Sequence, residues 1–136
     1  MASISREIRI AARPEDVWAA IRDVAAVHRR LVPGVVVDAY LDGDARVVTF
    51  ANGSVVRELI LDIDDSSQRF AYAAVGGRST YHHASMQVFA DGADGSRVVW
   101  VTDVLPQTIV GAIRALVEQG ADAMKRTLEA ETTGTE

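Results

Sequence analysis

The chain has no cysteine, one lysine (Lys125), three prolines and 6% aromatic residues over 136 positions. The first absence excludes disulfides and thiolate ligation of a metal, because both need the thiol. No apolar run approaches the roughly 18 residues of a membrane-spanning helix, so insertion into a bilayer is not expected. The opening residues, MASISREIRI, hold no apolar stretch of signal-peptide length, and the expectation is a cytoplasmic protein. A basic excess is also missing: thirteen arginines are scattered among nineteen acidic residues and the net charge is −5, which argues against a nucleic-acid partner. Neither a glycine-rich phosphate loop nor a G-x-S-x-G serine context occurs, so no nucleotide cofactor and no nucleophilic serine is implied.

What is present is a regular alternation of short β-rich runs followed by one long amphipathic stretch. Gln107 to Glu131 reads as a helix: Ile109, Ile113, Leu116, Val117, Gly120, Met124 and Leu128 recur at three- and four-residue spacing, with charged residues on the other face. Burying such a stripe gains roughly 1.5–3 kcal/mol per aliphatic side chain before entropy is subtracted, so it needs an apolar partner surface. Gly120 lies within the stripe and costs about 1 kcal/mol of helix propensity relative to alanine, which points to a close approach there by backbone or by a ligand.

Ser3 to Ile10 alternates as a half-buried strand. Pro14, Glu15 and Asp16 then open a short helix carrying Val17, Trp18, Ile21 and Val24, and Val27 to Leu31 forms a second helical turn ended by Pro33-Gly34. From there Val35–Leu41, Ala45–Phe50, Ser54–Ile63, Arg69–Val75, Thr80–Ala90 and Arg97–Leu105 are β-rich, separated by Asp/Asn/Gly/Ser turn signals. Short turns favour an antiparallel meander. The expectation is one α+β domain over residues 1–136, with seven strands, two small helices after the first strand and the long helix after the last.

That order, with Val56-Arg57-Glu58-Leu59, Asp64-Asp65, Gly76-Gly77, Trp100 and Asp103-Val104-Leu105-Pro106, resembles the START-related superfamily, which includes polyketide cyclases and dehydrases, the major birch-pollen allergen and the abscisic-acid receptors. The resemblance covers nearly the whole chain and implies the helix-grip fold, in which a curved seven-stranded antiparallel sheet wraps the C-terminal helix and encloses a cavity. The geometry supports this independently: a strongly curved sheet packed on one helix leaves unfilled space where the helix axis departs from the sheet.

Alternation alone leaves the face of the Ser54–Ile63 strand open. The resemblance to the abscisic-acid receptors implies that Glu58 takes the place of their cavity-facing glutamate, with Ile60 on its face. The same register implies that Tyr72, Ala74, His82, Ala84 and Met86 also point inward. The spacing to Pro106 then places Val99, Val101 and Asp103 inside and Trp100 outside, while Leu116, Val117, Gly120 and Met124 face them from the helix. These residues form the candidate ligand-binding set, with Glu58, His82 and Asp103 as candidate acid–base groups. The receptor gate and latch are not matched, since Ala51-Asn52-Gly53-Ser54 and Ser79 stand at those positions. His82 and His83 point to opposite faces of one strand and cannot jointly ligate a metal. His28-Arg29-Arg30 is a candidate rim for the cavity.

Three functions remain open. One is binding of a hydrophobic lipid, polyketide or aromatic compound in a cavity of several hundred cubic ångström. Another is a cyclase- or dehydrase-type enzyme in which His82 acts as acid or base. The third is a scaffold or homodimer meeting its partner through Trp100 and the outer sheet. No cofactor is expected in any of them.

Overall fold

The computed structural model describes residues 2–134. Strand β1 (Ala2–Ile10) leads to α1 (Pro14–Arg22), a single 3-10 turn (Val24–Ala26) and α2 (Val27–Arg30). Six strands follow: β2 (Val36–Asp42), β3 (Ala45–Phe50), β4 (Val55–Asp64), β5 (Arg69–Val75), β6 (Tyr81–Asp91) and β7 (Gly95–Leu105). A 3-10 turn at Gln107–Ile109 then runs into α3 (Val110–Gly134). The sheet order is β1-β7-β6-β5-β4-β3-β2, antiparallel throughout. This is the helix-grip architecture.

Local chemistry explains the boundaries. Pro14 occupies the first turn of α1, where its missing N–H costs nothing, with Glu15 and Asp16 at the positive end of the helix dipole and Arg22 at the negative end. The β2–β3 turn has two central residues, and Gly43 supplies the positive φ (62°) at the first of them. Bulges at Val37 and Leu61 interrupt the register of β2 and β4, adding local twist that bends the sheet. The second bulge also returns Ile63 to the inner face opposite Phe70 and releases Asp62 to solvent.

The two ends of the inner face are filled differently. Helix α1 lies over β6 and β7, tied down where Ser96 Oγ donates to the Ala12 carbonyl (2.6 Å). Under it Val17, Ile21, Phe70, Val98, Met124 and Leu128 are each at most 3% exposed. Trp18 Nε1 and Arg22 Nε both donate to Asp65 Oδ1 at 2.8 Å, pinning α1 to the β4–β5 turn. These bonds, the indole's first, hold the Asp65 carboxyl below its ordinary pKa. Helix α3 packs chiefly along β1, so its first turns stand away from β3, β4 and β5.

Candidate functional site

Between the sheet, α2 and α3 lies an apolar cavity of about 80 Å³. Val48, Tyr72, Met86, Trp100 and Thr102 line it from the strands, Leu31 and Val32 from the α2 side, and Ile113, Leu116, Val117 and Gly120 from α3. A second hollow of about 170 Å³ adjoins it between β4, the β5–β6 turn and the start of α3. Phe50, Glu58, His82, Ile113 and Leu116 belong to both, and exposed Gly76, Gly77 and Arg78 carry the second hollow to the surface.

The polar centre of the inner cavity is an ion pair. Arg46 Nε donates to Glu58 Oε1 at 2.8 Å, and the two side chains are 5% and 10% exposed. Arg46 Nη1 also donates to the Val24 carbonyl (3.2 Å). Its guanidinium lies 5.1 and 5.3 Å from the centroids of the stacked Phe70 and Tyr72 rings, within cation–π range. Burial, with the Glu58 charge adding to it, pushes the Tyr72 phenol far above its ordinary pKa. For His82 burial outweighs the opposing pull of Glu58, so its pKa falls below 6.5. Among the described residues His82 makes no side-chain hydrogen bond. A neutral, unpaired imidazole therefore sits in the wall shared by both hollows.

Of the residues placed inward from the sequence, Glu58, Tyr72, His82, Met86, Leu116, Val117 and Gly120 line the inner cavity, and Ala74 lines the second hollow. Ile60, Ala84 and Met124 face inward without reaching either; Ala84 and Met124 are core residues, 1% and 0% exposed.

The last strand is the main correction. Val98, Trp100, Thr102 and Val104 are buried, whereas Val99, Val101 and Asp103 lie on the outer face, where Asp103 accepts a hydrogen bond from the Ser3 hydroxyl. The reason is the β6–β7 hairpin, which pairs Asp91 with Gly95 around a three-residue loop. Met86 then faces Trp100, Ala84 faces Thr102 and His82 faces Val104. Directly opposed residues share a face, so an inward His82 forces Asp103 outward. Asp103 is thereby removed from the acid–base group, and Trp100 from any outer contact surface.

Trp100 also explains Gly120: a Cβ there would lie 2.9 and 3.0 Å from two atoms of the indole, so the close approach is by a side chain. Among the described residues the indole N–H is sealed without a hydrogen-bond partner; the Tyr72 hydroxyl is close, but not in hydrogen-bond geometry. His28, Arg29 and Arg30 do not line either hollow: Arg30 pairs with Asp23 (2.8 Å), Arg29 is exposed and His28 Nδ1 is sealed without a partner.

Arg46 was absent from the sequence-based set, although a signal for it existed. In the β3–β4 hairpin Arg46 pairs directly with Glu58, so an inward glutamate requires an inward arginine. Among the described residues no helix is long and apolar enough to cross a membrane.

A curved antiparallel sheet gripping a long helix, with an apolar cavity and a buried ion pair between them, defines a cavity-bearing domain of the helix-grip fold. The chain belongs to the family described as polyketide cyclase / dehydrase and lipid transport, whose model matches residues 1–129. No curated protein matches it by sequence. Solved structures with the same fold include the protein XoxI from Bacillus cereus, 18% identical with a TM-score of 0.85 over 94% of this chain and 96% of that one. Norcoclaurine synthase from Thalictrum flavum, solved with a transition-state analogue, is 20% identical with a TM-score of 0.72 over 96% of each chain. A START superfamily protein from Mycobacterium smegmatis is 12% identical, with a TM-score of 0.73 over 98% and 99% of the two chains.

Proposed function

We propose that this protein binds a small hydrophobic molecule, of one ring or a short chain, in the cavity between the sheet and α3. The observation that carries the reading is the apolar hollow itself, lined mainly by aliphatic and aromatic side chains. Its volume, about 80 Å³ with about 170 Å³ adjoining, lies below the roughly 300–1,000 Å³ of drug-sized sites and below the several hundred expected from the sequence. A long-chain lipid would require α3 to move outward; a single aromatic ring would not. Trp100 supplies a reporter. In a Trp18→Phe variant it is the sole indole, and acetophenone is expected to quench its fluorescence saturably. Absence of quenching, together with no small molecule retained in native mass spectrometry of protein from its own host, would overturn the reading.

A second reading is an acid–base enzyme of the cyclase or dehydrase kind, and His82 favours it. This imidazole is neutral, unpaired and in contact with both hollows, which suits a general base. The family description includes such activity, and norcoclaurine synthase has been solved in complex with dopamine and hydroxybenzaldehyde. Without Asp103 the group reduces to His82 and Glu58, the latter held by Arg46. Turnover of a substrate found by screening that survives His82→Gln unchanged would eliminate this reading.

A further inference from the structure

The Arg46–Glu58 pair is hard to account for as structure. Taking two charges out of water costs several kcal/mol per ion, and apolar residues of similar volume usually serve a fold as well or better. In this cavity the pair occupies positions where Met and Leu would pack, and its hydrogen bonding is incomplete. Glu58 uses Oε1 and Arg46 uses Nε and Nη1, while among the described residues Oε2 and Nη2 make no hydrogen bond. Among the described residues the side-chain polar atoms both sealed and unpaired are His28 Nδ1 and Trp100 Nε1. Oε2 and Nη2 are thus unpaired but not completely sealed, and both residues line the cavity. The guanidinium is also held in place, by the Val24 carbonyl on one side and two aromatic rings on the other. A fixed donor beside a fixed acceptor loses little freedom when a ligand docks.

We propose that this unpaired edge is the recognition element of the cavity, and that it selects a neutral small molecule with a carbonyl and a hydroxyl on neighbouring carbons: an aryl α-hydroxy ketone in its simplest form. The inference rests on the reading that the cavity binds a ligand. The carbonyl accepts from Arg46 and the hydroxyl donates to Glu58, so each group fills what the other cannot. Charge argues for neutrality, because Glu58 already balances Arg46, so a ligand carboxylate would bring a further negative charge with no counter-ion into an apolar cavity.

Three probes share a phenyl ring and a carbonyl: phenacyl alcohol adds the hydroxyl, acetophenone lacks it, and benzoylformate carries a carboxylate instead. Titration calorimetry on the intact chain is expected to show phenacyl alcohol binding about tenfold more tightly than acetophenone, with benzoylformate weakest. The double variant Arg46→Met/Glu58→Leu is expected to keep acetophenone binding and lose the preference. Should that variant fail to fold, Glu58→Gln keeps the shape and is expected to reduce the preference to about threefold or less. Acetophenone binding with no preference for the hydroxy ketone, or a preference for benzoylformate, overturns this inference alone. No binding of any probe overturns the inference, and the cavity reading falls with it when native mass spectrometry also finds no retained small molecule.

Discussion

The two ends of the sheet carry the same alternation of apolar residues and reach opposite outcomes. Under α1 the inward positions of β1, β5, β6 and β7 meet a second apolar surface, and Ile8, Phe70 and Val98 are each at most 3% exposed. Beneath the first turns of α3 the corresponding positions, among them Val56, Ala74 and His82, stay half-buried and border the hollows. The difference lies in the covering element. Helix α1 is short, anchored through Trp18 and Arg22 to Asp65, and presses onto the strands. Helix α3 is fixed along β1 and by Gly120 against Trp100, and its turns before that point stand away from β3–β5. Solid core and binding cavity thus arise from one pattern, according to whether a helix is held down on it.

Truncation at each end tests this contrast most strongly. Phe70→Ala is expected to cost about 3–5 kcal/mol in urea unfolding, by lost burial plus a cavity that cannot collapse. Leu116→Ala removes a half-buried side chain that already borders empty space, and about 1 kcal/mol is expected. Equal losses would break the contrast.

A smaller effect concerns His82. Its folded pKa is depressed by burial, with Glu58 opposing, relative to an ordinary value of 6.5. Between the two values the unfolded chain binds more protons than the folded one, so stability falls as pH drops through about 6.5 and levels off below the folded pKa. His82→Gln is expected to flatten that part of the stability–pH curve. An unchanged slope would mean that the imidazole is solvated and does not belong to the cavity wall.

The smallest expected effect sharpens the register. Asp103→Asn, on the outer face beside Ser3, should change stability by no more than about 0.5 kcal/mol and leave acetophenone binding unaltered. A clear loss of binding would mean that β7 presents its other face to the cavity.

Much of the fold was legible because its signals are local. The strand runs from Val35 to Leu105 match β2 to β7 to within one or two residues, and the long helix expected from Gln107 begins as a 3-10 turn and continues as α3. In the site, Glu58, Tyr72 and His82 were placed on the right face by a resemblance combined with alternation. Asp103 was misplaced because its strand was aligned from Pro106 and not from the hairpin that pairs it with β6, and a one-residue slip exchanges every side chain on a strand. Arg46 was missed because a charged residue in a short strand reads as exposed until its partner is known to be buried.

By itself, then, the amino-acid order determined the succession of strands, turns and helices, since apolar period, turn residues and helix ends act over a few positions. It also determined which long stretch the sheet would grip. Only the tertiary structure decided which of two faces each strand turns inward, how far α3 stands from the sheet, and that Arg46 meets Glu58 inside the cavity. Those outcomes depend on contacts between residues distant in sequence, and their free energies exist only once the chain has closed on itself.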